Sequence, residues 1–360
     1  MMKICIVSVF NSSNPGSYQQ LKELGKAYSQ YGDVCYLDCK AKRVFEGTFI
    51  YTLRCLLKFR FGKAVYELKK RILFFKRYRT LKTITMKDIS TVDLFVFGSD
   101  EIWNLKRQNM RHPCFYGGGI SGKKVSYAPS TGNSDISDFN NHPSFASLLN
   151  DLDMISVRDP YSYDVISHIC TEKQIPVLLD PTFLKSKEGY NSDCTYDYGK
   201  GYVALYCFQG FLNKYNECSS SFLKFAQNKG LRLLSCGVWS DYAENSHPYS
   251  SNAFDFYLNA DYVITNTYHG TAFAINFNKQ FITFSCGRNK ISELLRQFGL
   301  EDRDCSSKSE EEIMRILDTP IDYSSINDDL EQMRKASFEY IKRSVDMSDP
   351  SEIQVQSELD

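Results

Sequence analysis

Strand-like apolar runs and helix-like stretches alternate in two successive rounds along the 360 residues of this chain, which leaves few folds open. In the first round Lys3–Phe10 reads as a strand, "NSSNPGS" as a turn, "YQQLKELGKAYSQYG" as a helix and "DVCYLDC" as a second strand. Strand–helix–strand order implies parallel pairing, because parallel neighbours need a crossover of helical length. "VDLFVFGSDEIWN", "KKVSYAPSTG", "DMISVRDPYSYDVI" and "PVLLDPTFL" continue the round. A polar, Gly- and Tyr-rich stretch at 186–200 has the look of a linker. The second round runs through "YVALYCF", "LRLLSCGV", "DYVIT" and "FITFSC", with helices between them. A chain of this length exceeds one ordinary core. The expectation is an α/β protein with two Rossmann-like domains facing a cleft, each a parallel sheet flanked by helices. One domain spans 1–185 with a basic helical insert at about 44–86, and the other spans 201–320. A capping box (Ser325, Asp328) opens a helix over 321–345, and the acidic 346–360 reads as a loose tail.

Several function classes drop out. Lys plus Arg and Asp plus Glu both number 43, so no overall field recruits nucleic acid. No GxGxxG follows the first strand and no GxxxxGK[ST] occurs, which disfavours a dinucleotide cofactor and a P-loop. The twelve cysteines form no CxxC pair and no zinc spacing with histidine, so no metal is expected. Many sit inside apolar runs, where a reduced thiol packs as a small hydrophobe, and this favours a reducing, cytoplasmic compartment. "MMKICIVSVF" is too short for a signal peptide, and no apolar run approaches a membrane span.

In parallel α/β sheets the loops at the carboxyl ends of the strands carry the ligand. Here those loops hold Asn11, Asn14, Gly16 and Ser17; Gly98, Ser99 and Asp100; Ser130 and Gly132; Arg158 and Asp159; Thr267, His269 and Gly270; and Arg288 and Asn289. His269 is one of five histidines and can move protons near neutral pH. Gly270 lets a ligand approach the backbone, and a helix starting near Thr271 offers free N–H groups to an anion. The bland alternative is a histidine that caps a helix or fills a turn. Arg158 can grip a carboxylate or phosphate with two parallel hydrogen bonds, or simply pair with Asp159 or a neighbour. Asp100 can hold a sugar hydroxyl, act as a base, or cap a helix.

"FGSDEIWN" (97–104), "VSYAPSTG" (125–132), "ISVRDPYSYDVI" (155–166), "LLDPTFL" (178–184) and "DYVITNTYHGTAFAINFNKQF" (261–281) occur in order, and together they resemble the polysaccharide pyruvyl transferase family. "NSSNPGSYQQL" and "GRNKISELLRQFGLEDR" are similar to that family's first loop and late segment. The resemblance implies a fold like the B-type glycosyltransferases. It also implies transfer of a pyruvyl group from phosphoenolpyruvate, as co-substrate, to two hydroxyls of a saccharide, forming a cyclic ketal. No other cofactor is implied. Carried over by motif, Arg158 is the anion clamp and His269 the general acid/base or phosphate ligand. Thr267, Tyr268, Gly270, Thr271, Arg288 and Asn289 fall on the donor side. Asn11, Gly16, Ser17, Ser99, Asp100 and Ser130 fall on the acceptor side. Some members carry an arginine two residues before the histidine; here Thr267 stands there, and Arg288 can substitute. A nucleotide-sugar-dependent glycosyltransferase and a non-catalytic sugar-binding protein are the alternatives on the same fold.

The zero net charge hides an asymmetry. Residues 54–82 carry eleven basic side chains against one acid, Glu67, with Leu and Phe between them. Two readings follow. The helices cover the first sheet and solvate their cations, or they lie on the inner face of a membrane, where a lipid-linked saccharide acceptor would be found.

Overall fold

The computed structural model describes residues 1–9, 14–39, 46–207, 216–247, 252 and 254–346. The tail beyond residue 346, and Asn11 among the candidate site residues, lie outside them.

Two five-stranded sheets carry the molecule. The first contains β1 (Met2–Val7), β2 (Gly32–Leu37), β3 (Thr83–Ile84), β4 (Leu94–Phe97) and β5 (Lys123–Ser126), in the order β3-β2-β1-β4-β5. The second contains β6 (Tyr202–Tyr206), β7 (Arg232–Cys236), β8 (Asn245–His247), β9 (Tyr262–Thr265) and β10 (Gln280–Thr283), in the order β10-β9-β6-β7-β8. Numbered within each sheet, both read 3-2-1-4-5, and every pairing is parallel. The sequence dictates which strands are central. Ile4, Cys5, Ile6 and Val7 of β1 are fully buried, as are Val203, Ala204 and Leu205 of β6. Such unbroken apolar runs suit strands covered on both faces by crossover helices.

The order places a switch point between β1 and β4 in one sheet and between β6 and β9 in the other, because consecutive crossovers leave there in opposite directions. Helix α1 (Pro15–Tyr28) leaves the first switch point. Asn14 caps it by accepting from the Gly16 N–H, and Pro15 takes the position where a missing N–H costs nothing. Leu21, Leu24 and Tyr28 then bury its inner face on the sheet. The basic insert forms two helices, α2 (Glu46–Leu57) and α3 (Phe61–Thr80).

Three features go beyond the sequence reading. The presumed linker contains a helix, Lys187–Ser192, because Tyr190 is fully buried against Phe254, Phe273 and Phe277. The C-terminal helix, Ser324–Asp346, packs on both domains. Ile326 and Leu330 enter the second core, while Tyr340 and Ile341 enter the first, where Tyr340 donates to the Ser126 carbonyl at 2.8 Å. The thiols are not all reduced: Cys39, after β2, is bonded to Cys114, with a Cα–Cα distance of 6.3 Å. They lie 75 residues apart, so no spacing motif announces the pair. Among the described residues no helix is long and apolar enough to cross a membrane.

Candidate active site

The two switch points face each other, and His269 is where they touch. It occupies the second position of the Tyr268–Asn276 helix after β9, and Thr267 caps that helix by accepting from the Gly270 N–H at 3.0 Å. The imidazole is only 6% exposed. Its Nε2 lies 3.2 Å from Gln20 Oε1 on α1, 249 residues away in the chain. Its other edge rests on Gly16: a Cβ there would come within 2.3 Å of His269 Cγ and Nδ1. Gly16 is therefore fixed by the histidine it faces. Burial pushes the His269 pKa below its ordinary 6.5; Asp180 and Asp100 oppose this, and Lys290 and Arg158 reinforce it. The imidazole is neutral at pH 7, and a substrate oxygen reaches Nε2 only by displacing Gln20.

Arg158 lies beside it, just before Asp159, whose carboxylate caps the Pro160–Ile169 helix. The guanidinium is 2% exposed. Nη1 donates to Asp180 Oδ2 at 3.1 Å, and Cζ sits 4.1 Å from the centre of the Tyr268 ring, so the stack crosses from one domain to the other. The guanidinium thus pairs with two carboxylates, closely with Asp180 and more distantly with Asp159, whose Oδ2 stands 3.9 Å from Nε. Nε and Nη2 have no hydrogen-bond partner among the described residues. A buried guanidinium edge left open in this way can receive an anionic ligand.

Asp100 has a left-handed backbone, φ 70°, and does not cap a helix. Its Oδ2 accepts from the Ser17 hydroxyl at 2.7 Å, tying the loop after β1 to the loop after β4. Burial alone would raise its carboxyl pKa, but Lys290, His269, Arg158 and the Ser17 hydroxyl hold it far below the usual range. Asp100 is a permanent anion and an acceptor, not a proton carrier at neutral pH.

Other residues read as site residues bond to the framework in this structure. Ser99 and Ser130 are buried: Ser99 donates to the Ala128 carbonyl, and Ser130 receives the Gly132 N–H. The Thr271 hydroxyl bridges the Thr267 carbonyl and Thr283. Gly270 makes no room for a ligand; a Cβ there would strike the Thr265 hydroxyl at 2.2 Å. Arg288 donates to the carbonyls of Ser285 and Asn266, pinning the ends of β9 and β10 rather than replacing the arginine absent at 267. Asn289 opens the Asn289–Gln297 helix, half-buried.

Four residues escaped the sequence reading although each stands in a motif it used: Gln20, Glu101, Asp180 and Lys290. Lys290 reaches from the second domain to Glu101 of the first at 2.5 Å, and Glu101 is also held by Asn104 and Arg107. Only the fold reveals these as partners. They also decide the local charge: Asp100, Glu101, Asp159 and Asp180 against Arg107, Arg158 and Lys290 is four against three, an acidic excess of one. An anionic substrate must therefore use the open Arg158 edge and the positive end of the Tyr268–Asn276 helix.

Two parallel five-stranded sheets of one strand order, whose strand-end loops meet at His269, define the B-type glycosyltransferase class of fold. Two solved structures of low identity share this fold, and the likeness reaches no further than the fold. MnaA from S. aureus, in a co-structure with UDP, is 11% identical at TM-score 0.52, covering 96% of this chain and 94% of that one. A UDP-N-acetylglucosamine 2-epimerase described as putative, from Listeria monocytogenes, is 7% identical at TM-score 0.50, covering 93% and 90%. An O-GlcNAc transferase mutant from Thermobaculum terrenum is 14% identical at TM-score 0.43; 97% of this chain is covered, but only 64% of that chain. No curated protein matches the chain. The polysaccharide pyruvyl transferase family matches residues 14–288, and the chain belongs to that family. It is a transferase, and its family implies a polysaccharide acceptor.

Gly16→Ala tests the contact on which His269 depends. Alanine is the better helix former, so α1 itself does not suffer. The added methyl has to displace the imidazole, and a misplacement of about 1 Å costs on the order of 100-fold in turnover. Unchanged turnover with an intact fold would separate Gly16 from the chemistry.

Proposed function

We propose that the protein transfers the pyruvyl group of phosphoenolpyruvate to two hydroxyls of a saccharide, closing a cyclic ketal and releasing phosphate. The observation that carries this reading is the meeting of neutral His269 with the half-open Arg158 guanidinium, inside the segment that defines the family. The donor has a carboxylate, which suits the open Nη2 edge of Arg158. Its phosphate suits the first turn of the Tyr268–Asn276 helix, with Lys290 beside it.

The proton balance suits a neutral imidazole. The first hydroxyl oxygen bonds to C2 of the donor while C3 gains a proton and becomes a methyl group. The second hydroxyl oxygen then bonds to C2 as the C2–O bond to phosphate breaks. Two hydroxyl protons are lost; one ends on C3 and the other on phosphate. His269, whose Nε2 proton is given to Gln20 Oε1 in the resting site, passes that proton to the departing phosphate and regains one from the attacking hydroxyl. Asp100, held ionised, accepts a hydrogen bond from the saccharide once Ser17 yields. The acceptor is a surface polysaccharide or its lipid-linked precursor.

The test combines two measurements. Purified protein, phosphoenolpyruvate and oligosaccharide isolated from cells lacking the protein should give phosphate and a product heavier by one pyruvyl ketal. Surface glycan from the same cells should lack that ketal. Release of a nucleoside diphosphate from a nucleotide-sugar, with phosphoenolpyruvate unconsumed, would replace the reading with glycosyl transfer. Binding of oligosaccharide with neither donor consumed would reduce it to sugar binding.

A further inference from the structure

We infer that the α2–α3 hairpin is a docking surface for an anionic phospholipid bilayer. The evidence is an inverted helix. A surface helix ordinarily turns its apolar stripe to the core and its charges to water. In α3 the apolar positions Phe61, Val65, Leu68, Ile72 and Phe75 recur at alternating four- and three-residue steps, which align them on one face. That face points outward: the five side chains are between 43% and 59% exposed. The opposite face carries cations at seven-residue steps, Lys63, Lys70 and Arg77, and turns them inward. Lys63 is 4% exposed, Lys70 donates to the Gly237 carbonyl at 2.9 Å, and Arg77 lies over the Tyr18 ring. The orientation is fixed from the second domain. Tyr66 packs edge-on against Trp239, and Arg60 pairs with Asp241 at 2.6 Å.

The turn between the helices extends the stripe. Leu57 is 71% and Phe59 81% exposed, and Phe59 packs edge-on against Phe61. Leu53 and Leu56 of α2 are exposed too. Isolated exposed apolar residues need no explanation, but a continuous patch of this kind marks an interaction site.

Charge selects the occupant. Lys58, Lys69, Arg71, Lys76 and Arg79 border the stripe, and Glu67 is the one acid from 54 to 82. A second copy packed on the same stripe would bring these cations against one another with almost no acid to balance them. A bilayer containing anionic lipid supplies the opposite charge to the rim and an apolar layer to the stripe. Arg71 shows the arrangement, its guanidinium 5.8 Å from the centre of the Phe75 ring. Lys70 on the inward face meets Gly237 of the second domain, so the hairpin docks from the side where the two domains meet.

Flotation of the full chain with liposomes tests this, and it does not depend on which donor the site takes, so it can fail while the transfer reading stands. Vesicles of phosphatidylglycerol and phosphatidylcholine should carry the protein, and pure phosphatidylcholine vesicles should not. Raising salt should weaken binding. Leu68→Asn with Ile72→Asn should reduce partitioning at least tenfold, and Lys69→Glu with Lys76→Glu should abolish it. Neither pair enters a core, so both variants keep the wild-type melting temperature. Equal recovery with anionic vesicles, neutral vesicles or none would overturn the inference. So would a dimer in lipid-free buffer that Leu68→Asn with Ile72→Asn returns to monomer, because the stripe would then belong to a second copy.

Discussion

His269→Gln lowers phosphate release from phosphoenolpyruvate by on the order of 10²- to 10⁴-fold, the usual contribution of a positioned acid–base group. Glutamine is polar, of similar reach, and can still bond to Gln20, so the helix start and the domain contact survive. The variant should unfold within a few degrees of the parent. The pH dependence gives the sharper readout. Burial holds the His269 pKa below 6.5, and the proposed role requires the neutral form. Parent kcat/KM should therefore be level at pH 7 and fall only as pH drops below 6.5 through the lower folded value. In the variant that acidic limb should vanish along with the rate. Stability moves in the same direction. The unfolded chain takes up a proton on this residue as pH falls through 6.5, before the folded chain does, so stability present above 6.5 is lost on acidification. Glutamine removes that contribution and flattens the acid side of the stability curve. Turnover close to the parent's would return His269 to helix capping and packing on Gly16.

The strands and the strand-end loops were legible because parallel central strands need long apolar runs, and the loop after each is fixed by topology. Which side chains meet there was not legible. His269 and Gln20 lie in different domains, and no local pattern joins them. Glycine illustrates the ambiguity. The residue at 270 reads as room for a ligand and turns out to be room for the Thr265 hydroxyl, while Gly16 makes room for the histidine itself. Arg288 reads as a free cation at a strand end, but carbonyl groups of neighbouring loops absorb it. The insert shows the limit most plainly. Its cation count stands in the sequence, but an amphipathic pattern does not say which face is buried. Trp239, Gly237 and Asp241, contributed by the other domain, draw the charged face inward.

Arg158→Ala should cost about 3–5 kcal/mol of stability, because it strands the Asp180 carboxylate in a fully buried position. Asp180 Oδ1 keeps its bonds from the Thr182 N–H and hydroxyl, but Oδ2 loses its charged partner. The Tyr268 ring also loses the plane stacked on it. Chemical denaturation should show the loss. Arg158→Ala combined with Asp180→Asn should recover a large part of it, since the uncompensated charge has gone. Arg158→Lys separates structure from donor binding. Lysine keeps a positive charge near Asp180 and should retain more stability than alanine. It cannot offer a planar fork, with one edge on Asp180 and another toward a substrate carboxylate. The lysine variant should therefore fold yet show a KM for phosphoenolpyruvate raised at least tenfold. If its KM matches the parent's while Arg158→Ala remains unstable, the guanidinium is a strut between Asp180 and Tyr268. The donor carboxylate would then have to be met by Lys290, the other cation at this contact, released from Glu101.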